Sequence, residues 1–338
     1  MNGVFPGCAY AIISGDTIFE EGIIVNRSIT PCTKPMEMNV HFDMASLSKI
    51  LGPTMIALRL KKLGELDFSK KIGDVLSYSG NYGDVTIENL LLHAGGFLPE
   101  LPLWKDCLDK KDFIMHFLDS TIQYKQGTDC LYSCLGYIVL GEVLETMTKS
   151  SLDKLSKELV WEPLGMYETT YSPSQNLLFA STEYKNYIDG ECWNGIVHDE
   201  NARFLLPFCS GNAGVFSTIG DMTLFARWIL REMNAPALLL KEDIESLFKD
   251  LTPFAKVSRT YGFLSGHRGT EYVKGSVAGH KSIGHTGFTG TSLWIDGGKK
   301  AAVILLTNRV HPTRNNVEWR TMLPSFHILV FKEYGEKR

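Results

Sequence analysis

Strand-forming segments at both ends of the chain restrict the folds that it can adopt. Near the N-terminus, the β-rich runs 8–13 and 17–25 are separated by a short loop that contains Gly15, which predicts a β-hairpin. Near the C-terminus, the runs 292–295 and 301–307 flank an Asp-Gly-Gly loop, which predicts a second hairpin. Strands at both termini favour a single sheet that the two ends of the chain complete together.

The middle of the chain has a helical pattern instead. From 46 to 63 the apolar residues recur near helical spacing, and Pro53 inside this pattern predicts a kink or a break. The stretch 67–214 is predicted to be mostly helical, and 319–334 could form a closing helix. The chain therefore carries a helical insertion between its two strand-rich ends.

These patterns predict an α/β (α+β) fold, in which helices flank an antiparallel sheet formed from both termini and a mainly helical lobe is inserted. We expect residues 1–338 to form a single domain. Its α/β sublobe would comprise 1–66 and 215–338, and its helical insertion would comprise 67–214. The groove between the two lobes is the natural place for a site.

Composition and charge argue against two classes of partner. Lys and Arg total 34 against 38 Asp and Glu, a formal charge of -4, so no basic field attracts phosphate backbones or anionic lipids. The longest aliphatic runs, such as 303–306, are far shorter than the roughly 20 apolar residues of a membrane helix. We expect a small-molecule substrate, no nucleic acid and no membrane, and the sequence leaves the oligomeric state open.

The cysteines and the N-terminus bear on location. Seven cysteines are an odd number, and they are scattered without CxxC pairs, which favours free thiols in a reducing compartment. The first residues lack a basic segment followed by an apolar one, so no signal peptide is visible. We therefore expect a cytoplasmic protein, or a secreted one if an export segment has been removed.

A Ser-x-x-Lys motif begins the first predicted helix. Ser46 and Lys49 are three residues apart, so they share one helix face about one turn apart. In a first helical turn, the dipole and the free N–H groups favour negative charge on the serine oxygen, and a desolvated lysine can act as a base. The motif is not specific by itself, because it recurs at 151–154 and 246–249, where solvated helix faces are expected.

Two later segments could complete a site. Tyr132 leads a Tyr-Ser-Cys sequence at the start of a predicted helix and would face a cleft, although a lone tyrosine is more often a packing residue. A His-Thr-Gly sequence at 285–287 leads into a strand, where its glycine allows a ligand to approach the backbone. The N–H of Phe288 could face that ligand. Taken alone, this second segment reads as an ordinary turn.

Together, the three elements resemble the signature of the serine β-lactamase and penicillin-binding-protein superfamily: S-x-x-K, a Tyr- or Ser-led box, and K-T-G or H-T-G. The chain is most similar to the branch of class C β-lactamases, DD-peptidases and esterases. The spacings agree with that branch, with 86 positions from Ser46 to Tyr132 and 153 from there to His285. The resemblance covers residues 6–315 and implies a β-lactamase/transpeptidase-like fold.

The resemblance also implies a role for each position. Ser46 would be the acylated nucleophile, Lys49 and Tyr132 would share proton transfer, and the N–H groups of Ser46 and Phe288 would form the oxyanion hole. The positions with an implied part in substrate binding are Cys134, Asp199, His285, Thr286, Gly287 and Arg309. For Asp199 and Arg309, which lie in runs similar to a subgroup linked in part to muropeptide breakdown, the alternative is a solvent-exposed salt bridge.

Three departures from the family pattern bear on the substrate. Cys134 stands where Asn is common, and a thiol recognises a substrate amide less well. His285 stands where lactamases usually have Lys; with an ordinary pKa of about 6.5 it would titrate between pH 6 and 7 and hold a substrate carboxylate less strongly. The helix that usually precedes the first strand of the family is nearly absent.

Other chemistries lack their motifs. The chain has no G-x-S-x-G, no G-x-G-x-x-G and no P-loop, and without H-E-x-x-H or paired CxxC we expect neither a metal nor a cofactor. The sequence therefore predicts a metal-independent serine hydrolase that forms an acyl-enzyme on small esters or amides, cell-wall-derived peptides included, of carboxypeptidase, amidase or esterase type. Two alternatives stay open: β-lactamase or penicillin-binding activity, and a non-catalytic binding or scaffold protein on the same fold.

Overall fold

Strands from both ends of the chain lie side by side in one antiparallel sheet. The computed structural model describes residues 4–102, 105, 107–185 and 191–334. In these residues the strands are β1 (Gly7–Ser14), β2 (Thr17–Ser28), β3 (Lys34–Pro35), β4 (Phe42–Asp43), β5 (Tyr184–Lys185), β6 (Glu191–Cys192), β7 (Phe216–Ser217), β8 (Leu264–Ser265), β9 (Ser282–Thr286), β10 (Thr291–Asp296) and β11 (Ala301–Thr307). Seven of them form the main sheet, in the order β3-β2-β1-β11-β10-β9-β8.

The two ends of the chain meet in the middle of this sheet. β1 pairs with β11 from Cys8 opposite Thr307 to Ser14 opposite Ala301, and every neighbouring pair in the sheet is antiparallel. Both predicted hairpins are present, as β1–β2 and β10–β11. The predicted antiparallel sheet formed from both termini is therefore confirmed.

Helices cover the sheet and fill the middle of the chain. They are α1 (Ser48–Leu51), α2 (Pro53–Lys62), α3 (Ile72–Leu76), α4 (Ile87–Leu91), α5 (Lys110–Leu118), α6 (Cys134–Thr148), α7 (Leu152–Ser156), α8 (Glu162–Leu164), α9 (Glu200–Phe204), α10 (Ile219–Glu232), α11 (Lys241–Leu247), α12 (Glu271–Lys274) and α13 (Trp319–Tyr334). A 3₁₀ turn at Ala45–Leu47 precedes α1, and a π turn at Lys157–Trp161 precedes α8.

The central strand β11 is apolar along its length because both of its faces are covered. All seven of its residues are buried. Ala302, Ile304 and Leu306 belong to the core beneath α10. Val303 and Leu305 belong to a second apolar cluster with α13. Since successive side chains of a strand point to opposite faces, helices on both sides require this continuous apolar run.

Helices outnumber strands in the described part of 67–214. It holds α3 to α9, and it also holds the short strand pair β5–β6, which the sequence did not predict. The sequence predicted a kink or a break in the helical segment 46–63, and the structure has a complete break. α1 ends at Leu51, and Pro53 is the first residue of a separate helix, α2. The sublobe boundaries at 66 and 214 stay a prediction.

No helix within the described ranges is long and apolar enough to cross a membrane. The seven cysteines are free thiols.

Candidate active site

The turn that carries Ser46 is held in a strained conformation. Ala45 has a positive φ of 45°, a left-handed conformation that costs a residue with a side chain roughly 1 to 3 kcal/mol. The surrounding hydrogen bonds must therefore fix this turn. One of them joins the N–H of Ala45 to the Asp43 carboxylate at 2.8 Å. Ser46, the next residue, lines a cavity.

Lys49 lies directly beneath Ser46. Its Nζ donates hydrogen bonds to Ser46 Oγ at 3.1 Å and to the carbonyl oxygen of Asn212 at 2.9 Å. It also lies 3.6 Å from Cys134 Sγ. The side chain is fully buried, so its reach to Ser46 is fixed by packing. The two residues of the Ser-x-x-Lys motif are thus in direct contact.

Lys49, Tyr132 and Cys134 form a coupled proton-binding cluster. Burial opposes the charge on Lys49, but interactions with the acidic groups of Cys134 and Tyr132 outweigh burial and raise the pKa of Lys49 above its usual value. Burial raises the pKa of both Tyr132 and Cys134, and the Lys49 charge opposes these shifts. At neutral pH both are therefore protonated and Lys49 carries the charge. One of these three groups must lose its proton before the cluster can accept the proton of the Ser46 hydroxyl. Because the three groups interact, the pKa of this proton loss is shared by the cluster and cannot be assigned to one residue.

Tyr132 is placed by the start of α6. Ser133 caps that helix through a 3.0 Å bond from the Gly136 N–H, and its own N–H donates to His93 Nδ1 at 3.1 Å. The Tyr132 ring lies 4.7 Å from the His93 ring, and Lys49 Nζ lies 5.0 Å from its centroid. The Tyr132 hydroxyl also interacts with Lys49 and Ser46. The structure thus brings Tyr132 next to the Ser46–Lys49 pair.

The segment that carries Phe288 is hydrogen-bonded to the segment before Ser46. Thr289 Oγ1 donates to the carbonyl of Asp43 at 2.7 Å, and Thr291 Oγ1 donates to the carbonyl of Met44 at 3.1 Å. These two bonds fix the spacing of the backbone segments that hold both predicted oxyanion donors. A preorganised pair of donors needs such fixed spacing. That the N–H groups themselves form the hole stays a prediction.

Gly287 allows this close approach. A Cβ at this position would lie 2.5 Å from the Met44 carbonyl oxygen and 2.1 Å from Thr291 Oγ1. Neither the backbone nor the short threonine side chain could move far enough to relieve these clashes. The close approach of two backbone segments, rather than a positive φ, therefore requires glycine here.

The protonation behaviour of His285 differs from the one that the sequence predicted. The side chain is buried on β9, and its Nδ1 lies 2.9 Å from the carbonyl oxygen of Thr286. Burial, and after it the charges of Lys49 and Arg259, lower the pKa of His285 to about 3. The expected titration between pH 6 and 7 is therefore wrong, because an unperturbed pKa ignores the cost of charging a buried imidazole next to two cations.

KM for a carboxylate substrate is therefore expected to show no imidazole titration between pH 5 and 8. The lowered pKa means that His285 gains its proton only near pH 3, so its charge does not change within this range. The measurement is KM for a carboxylate ester and a neutral ester in half-unit pH steps, with His285→Gln as control. A KM that rises through pH 6 to 7 in the unaltered protein, and not in His285→Gln, would contradict this.

Asp199 and Arg309 do not form the solvent-exposed ion pair that was the alternative for them. Arg309 is 2% exposed, its Nη1 donates to the carbonyl of Asn316 at 2.7 Å, and its guanidinium carbon lies 4.6 Å from the Phe288 ring. Asp199 caps α9 by accepting the Ala202 N–H at 2.8 Å. No ion pair joins the two in the part of the chain that the structure describes.

A cavity of about 470 Å³ opens over Ser46. It is also lined by Tyr132 and Phe288. The six residues predicted to contact substrate all line it: Cys134, Asp199, His285, Thr286, Gly287 and Arg309. The structure thus brings together every residue that the sequence assigned to the site, with Lys49 beneath the cavity floor.

A family model described as beta-lactamase matches residues 2–324. The chain belongs to the beta-lactamase family. Solved beta-lactamase and penicillin-binding-protein homologues share its architecture, so the predicted fold is confirmed. Membership also supports an enzyme of the serine hydrolase type.

Proteins similar to this chain carry the names of several kinds of hydrolase. An N-acetylmuramyl-L-alanine amidase from Bacillus subtilis (strain 168) is 28% identical over 310 residues, which cover 82% of this chain and 69% of the relative. A protein of Escherichia coli (strain K12), named as a candidate D-alanyl-D-alanine carboxypeptidase, is 26% identical over 305 residues, covering 80% and 69%. The solved structure of EstCE1, a hydrolase with promiscuous acyltransferase activity, aligns with a TM-score of 0.76 at 17% identity, covering 95% and 93%.

The sequence did not reveal Asp43 as part of this beta-lactamase-family site. Its buried carboxylate accepts the N–H of Ala45 through one oxygen and the N–H of His198 through the other, at 2.8 and 2.7 Å. It thus joins the turn that carries Ser46 to the loop that carries Asp199. A lone Asp three residues before a serine has no spacing signal that distinguishes it from a surface carboxylate.

The sequence also missed Arg259. This residue is 7% exposed, lines the cavity and lies with its guanidinium carbon 5.2 Å from the Tyr132 ring. It lies in a loop without periodicity, so nothing in the sequence separates it from a surface arginine. Within the described ranges, no three His, Cys, Asp or Glu side chains converge as a metal site would require. Independence from metals stays a prediction.

Proposed function

We propose that this member of the beta-lactamase family is a serine hydrolase that forms an acyl-enzyme on Ser46 and cleaves small esters or amides. One observation carries the proposal: Lys49 Nζ contacts Ser46 Oγ at 3.1 Å, beneath a cavity that also holds Tyr132 and Phe288. A nucleophile in contact with its base, next to fixed backbone donors, is the arrangement that acyl transfer requires.

The proposed first half-reaction acylates the serine. Ser46 Oγ bonds to the carbonyl carbon of the substrate as its proton passes to the deprotonated Lys49–Tyr132 pair. The N–H groups of Ser46 and Phe288 stabilise the oxyanion of the tetrahedral intermediate. When the intermediate collapses, the bond to the alcohol or amine breaks, and the same pair returns the proton to this leaving group.

In the second half-reaction, water takes the place of the leaving group. The Lys49–Tyr132 pair accepts a proton from the water as its oxygen attacks the acyl carbon. Collapse of the second intermediate releases the carboxylic acid, and the proton returns to Ser46 Oγ. No metal or cofactor takes part in either step of this proposal.

Among amides, we propose cell-wall-derived peptides as the substrate class. The names of two relatives, an amidase of muramyl peptides and a candidate D-alanyl-D-alanine carboxypeptidase, support this class. Efficient β-lactam hydrolysis is the less favoured variant, because Cys134 and the uncharged His285 replace two polar groups that the family resemblance associates with lactams.

A substrate panel tests this proposal. We expect turnover of nitrophenyl esters, and of muropeptides or D-Ala-D-Ala peptides, to exceed that of nitrocefin in kcat/KM. Hydrolysis is followed by absorbance for the chromogenic substrates and by chromatography for the peptides. Nitrocefin as the best substrate would favour the β-lactamase alternative. No turnover and no labelling by a fluorophosphonate would favour the non-catalytic scaffold and overturn the proposal.

A further inference from the structure

Asp43 is a buried carboxylate that takes part in no step of the proposed reaction. Its two oxygens accept backbone N–H groups, one from Ala45 at 2.8 Å and the other from His198 at 2.7 Å. Burial raises the pKa of Asp43, and these two hydrogen bonds oppose the shift because they stabilise the ionised form. The carboxylate therefore holds together two backbone segments that lie far apart in the sequence.

The bond to Ala45 acts on the first predicted oxyanion donor. The N–H of Ser46 belongs to the peptide group that directly follows Ala45, so its direction depends on the backbone angles of Ala45. The φ of Ala45 is 45°, a conformation that a residue with a side chain keeps only when its surroundings impose it. The Asp43 carboxylate is one of these surroundings, because it accepts the N–H of Ala45 itself.

The bond to His198 acts on the second predicted donor, Phe288. The His198 ring stacks on the Phe288 ring, with centroids 5.5 Å apart and an interplanar angle of 27°. The imidazole is itself fixed, because its Nε2 lies 3.0 Å from Glu183 Oε2, and Glu183 forms an ion pair with Arg314 at 2.6 Å. Phe288 thus packs against a ring that cannot shift without breaking its contact with Glu183.

A third contact joins the two donor segments directly. Thr289, the residue after Phe288, donates its hydroxyl hydrogen to the backbone carbonyl of Asp43 at 2.7 Å. Asp43 therefore reaches the Phe288 segment twice, once through this carbonyl and once through its carboxylate and His198. A closed set of contacts fixes the distance between the donors better than one bond does, because a shift of either donor strains every contact in the set.

We propose that Asp43 and His198 are positioning residues that set the spacing between the N–H groups of Ser46 and Phe288. This inference rests on the proposed function and adds to it two residues that act on the oxyanion hole through their neighbours. Donors that are fixed in advance stabilise the charge that develops in the transition state, so their misplacement slows the reaction more than it weakens substrate binding. Loss of a positioning contact should therefore lower kcat and leave KM nearly unchanged.

Asp43→Asn tests the carboxylate. The amide keeps the size of the side chain, but one of its two polar atoms becomes a donor that faces a backbone N–H. We expect kcat for p-nitrophenyl acetate to fall about 10- to 100-fold, while KM changes less than about 3-fold. Steady-state rates measure both values, and thermal denaturation measures the accompanying loss of stability.

Asp221→Asn is the matched control for stability. Asp221 is also a buried carboxylate, which accepts the N–H of Glu168 at 2.9 Å and the hydroxyl of Thr169 at 2.7 Å. It lies in the first turn of α10, which supplies none of the residues predicted for the site. We expect its Tm to fall by a similar amount, with kcat within about 2-fold of that of the unaltered protein. Equal losses of kcat in the two variants would show that Asp43 supports only the fold and would overturn its role.

Two variants of His198 separate its ring from its polar contact. His198→Phe keeps an aromatic ring against Phe288 and loses the bond to Glu183, which keeps its ion pair with Arg314. His198→Gln keeps a polar group for Glu183 and loses the ring. We expect His198→Gln to lower kcat about 10-fold and His198→Phe to restore most of that loss, with KM nearly constant in both.

Equal kcat values in the two His198 variants would show that the stacked ring does not position Phe288. A rise in KM at constant kcat would mean that His198 contacts the substrate instead. Either result would overturn the positioning role of His198. These two variants also carry the test if Asp43→Asn does not fold.

Phenylboronic acid gives a measurement without turnover. Ser46 Oγ bonds to the boron as the hydroxyl proton passes to the Lys49–Tyr132 pair, and an oxygen of the tetrahedral boronate takes the place of the oxyanion. Boron-11 NMR detects this adduct, and a titration gives its Kd. We expect Asp43→Asn to raise this Kd about 10- to 100-fold and Asp221→Asn to leave it within about 2-fold.

The boronate titration separates this inference from the proposed function. A tetrahedral adduct with the same Kd in the unaltered protein and in Asp43→Asn would overturn only the positioning role of Asp43. Absence of a tetrahedral adduct in the unaltered protein would contradict the hydrolase proposal, and the positioning role with it.

Discussion

Ser46→Ala is expected to lower kcat/KM by at least about 10⁴-fold for every substrate that the protein turns over. Lys49 Nζ contacts the Ser46 hydroxyl at 3.1 Å, and alanine leaves the base without a nucleophile to deprotonate. The cavity and its backbone donors remain, so a small residual rate from binding and oxyanion stabilisation should persist. Initial rates with a nitrophenyl ester and with the best peptide substrate measure the effect.

Ser151→Ala is the matched control, because Ser151 and Lys154 repeat the Ser-x-x-Lys pattern. In the structure, Ser151 Oγ accepts the N–H of Lys154 at 3.3 Å and caps α7 at the surface. Its loss should cost about 1 kcal/mol of stability and little activity. Retention of more than a few per cent of kcat/KM in Ser46→Ala, or a comparable loss in Ser151→Ala, would sink the assignment of the nucleophile.

Lys49→Met is expected to slow acylation by about 10² to 10⁴-fold, the range typical of a lost general base. Methionine fills nearly the same volume without a charge or a donor, so Ser46 keeps its surroundings but loses the group that accepts its proton. Tyr132→Phe should slow the same step, because its hydroxyl interacts with both Ser46 and Lys49. Single-turnover release of nitrophenol isolates acylation from deacylation.

The pH profile of the acylation rate distinguishes a role of Lys49 as base from a structural role. Nearby ionisable groups hold the pKa of Lys49 above its usual value, so at neutral pH only a small fraction of the cluster has lost the proton that must leave. That fraction grows with pH, and the acylation rate should rise up to about tenfold per pH unit below the shared pKa. In Lys49→Met this rise should vanish. A flat profile between pH 6 and 9 in the unaltered protein would contradict the role of Lys49 as base.

Local sequence patterns could predict the architecture of this chain because short-range signals decide most of its elements. The two hairpins have turn residues between strand-forming runs, and the apolar run at 301–307 requires a strand covered on both faces. The β5–β6 pair has no such pattern, and its two strands of two residues each depend on their surroundings. The sequence likewise predicted that Pro53 interrupts a helix, but it could not show whether the helix would be kinked or divided into two.

The candidate site could be predicted where its residues fall at fixed spacings and not where they depend on distant contacts. Ser46 and Lys49 follow from helical geometry, whereas the strained φ of Ala45 depends on Asp43 and the loop around it. The neutral state of His285 follows from burial next to two cations, which no sequence position reveals. Arg259 reaches the cavity from a loop far along the chain, so only the folded structure places it there.

The most direct test of the account is the site of acylation. The protein is mixed with a fluorophosphonate or a slowly deacylating nitrophenyl ester, the reaction is stopped with acid, and peptides are analysed by mass spectrometry. We predict one adduct, on the peptide that contains Ser46, in the unaltered protein and in Ser151→Ala, and none in Ser46→Ala. An adduct on Cys134, whose thiol lies 3.6 Å from Lys49 Nζ, or on any other residue while Ser46 stays free, would contradict it.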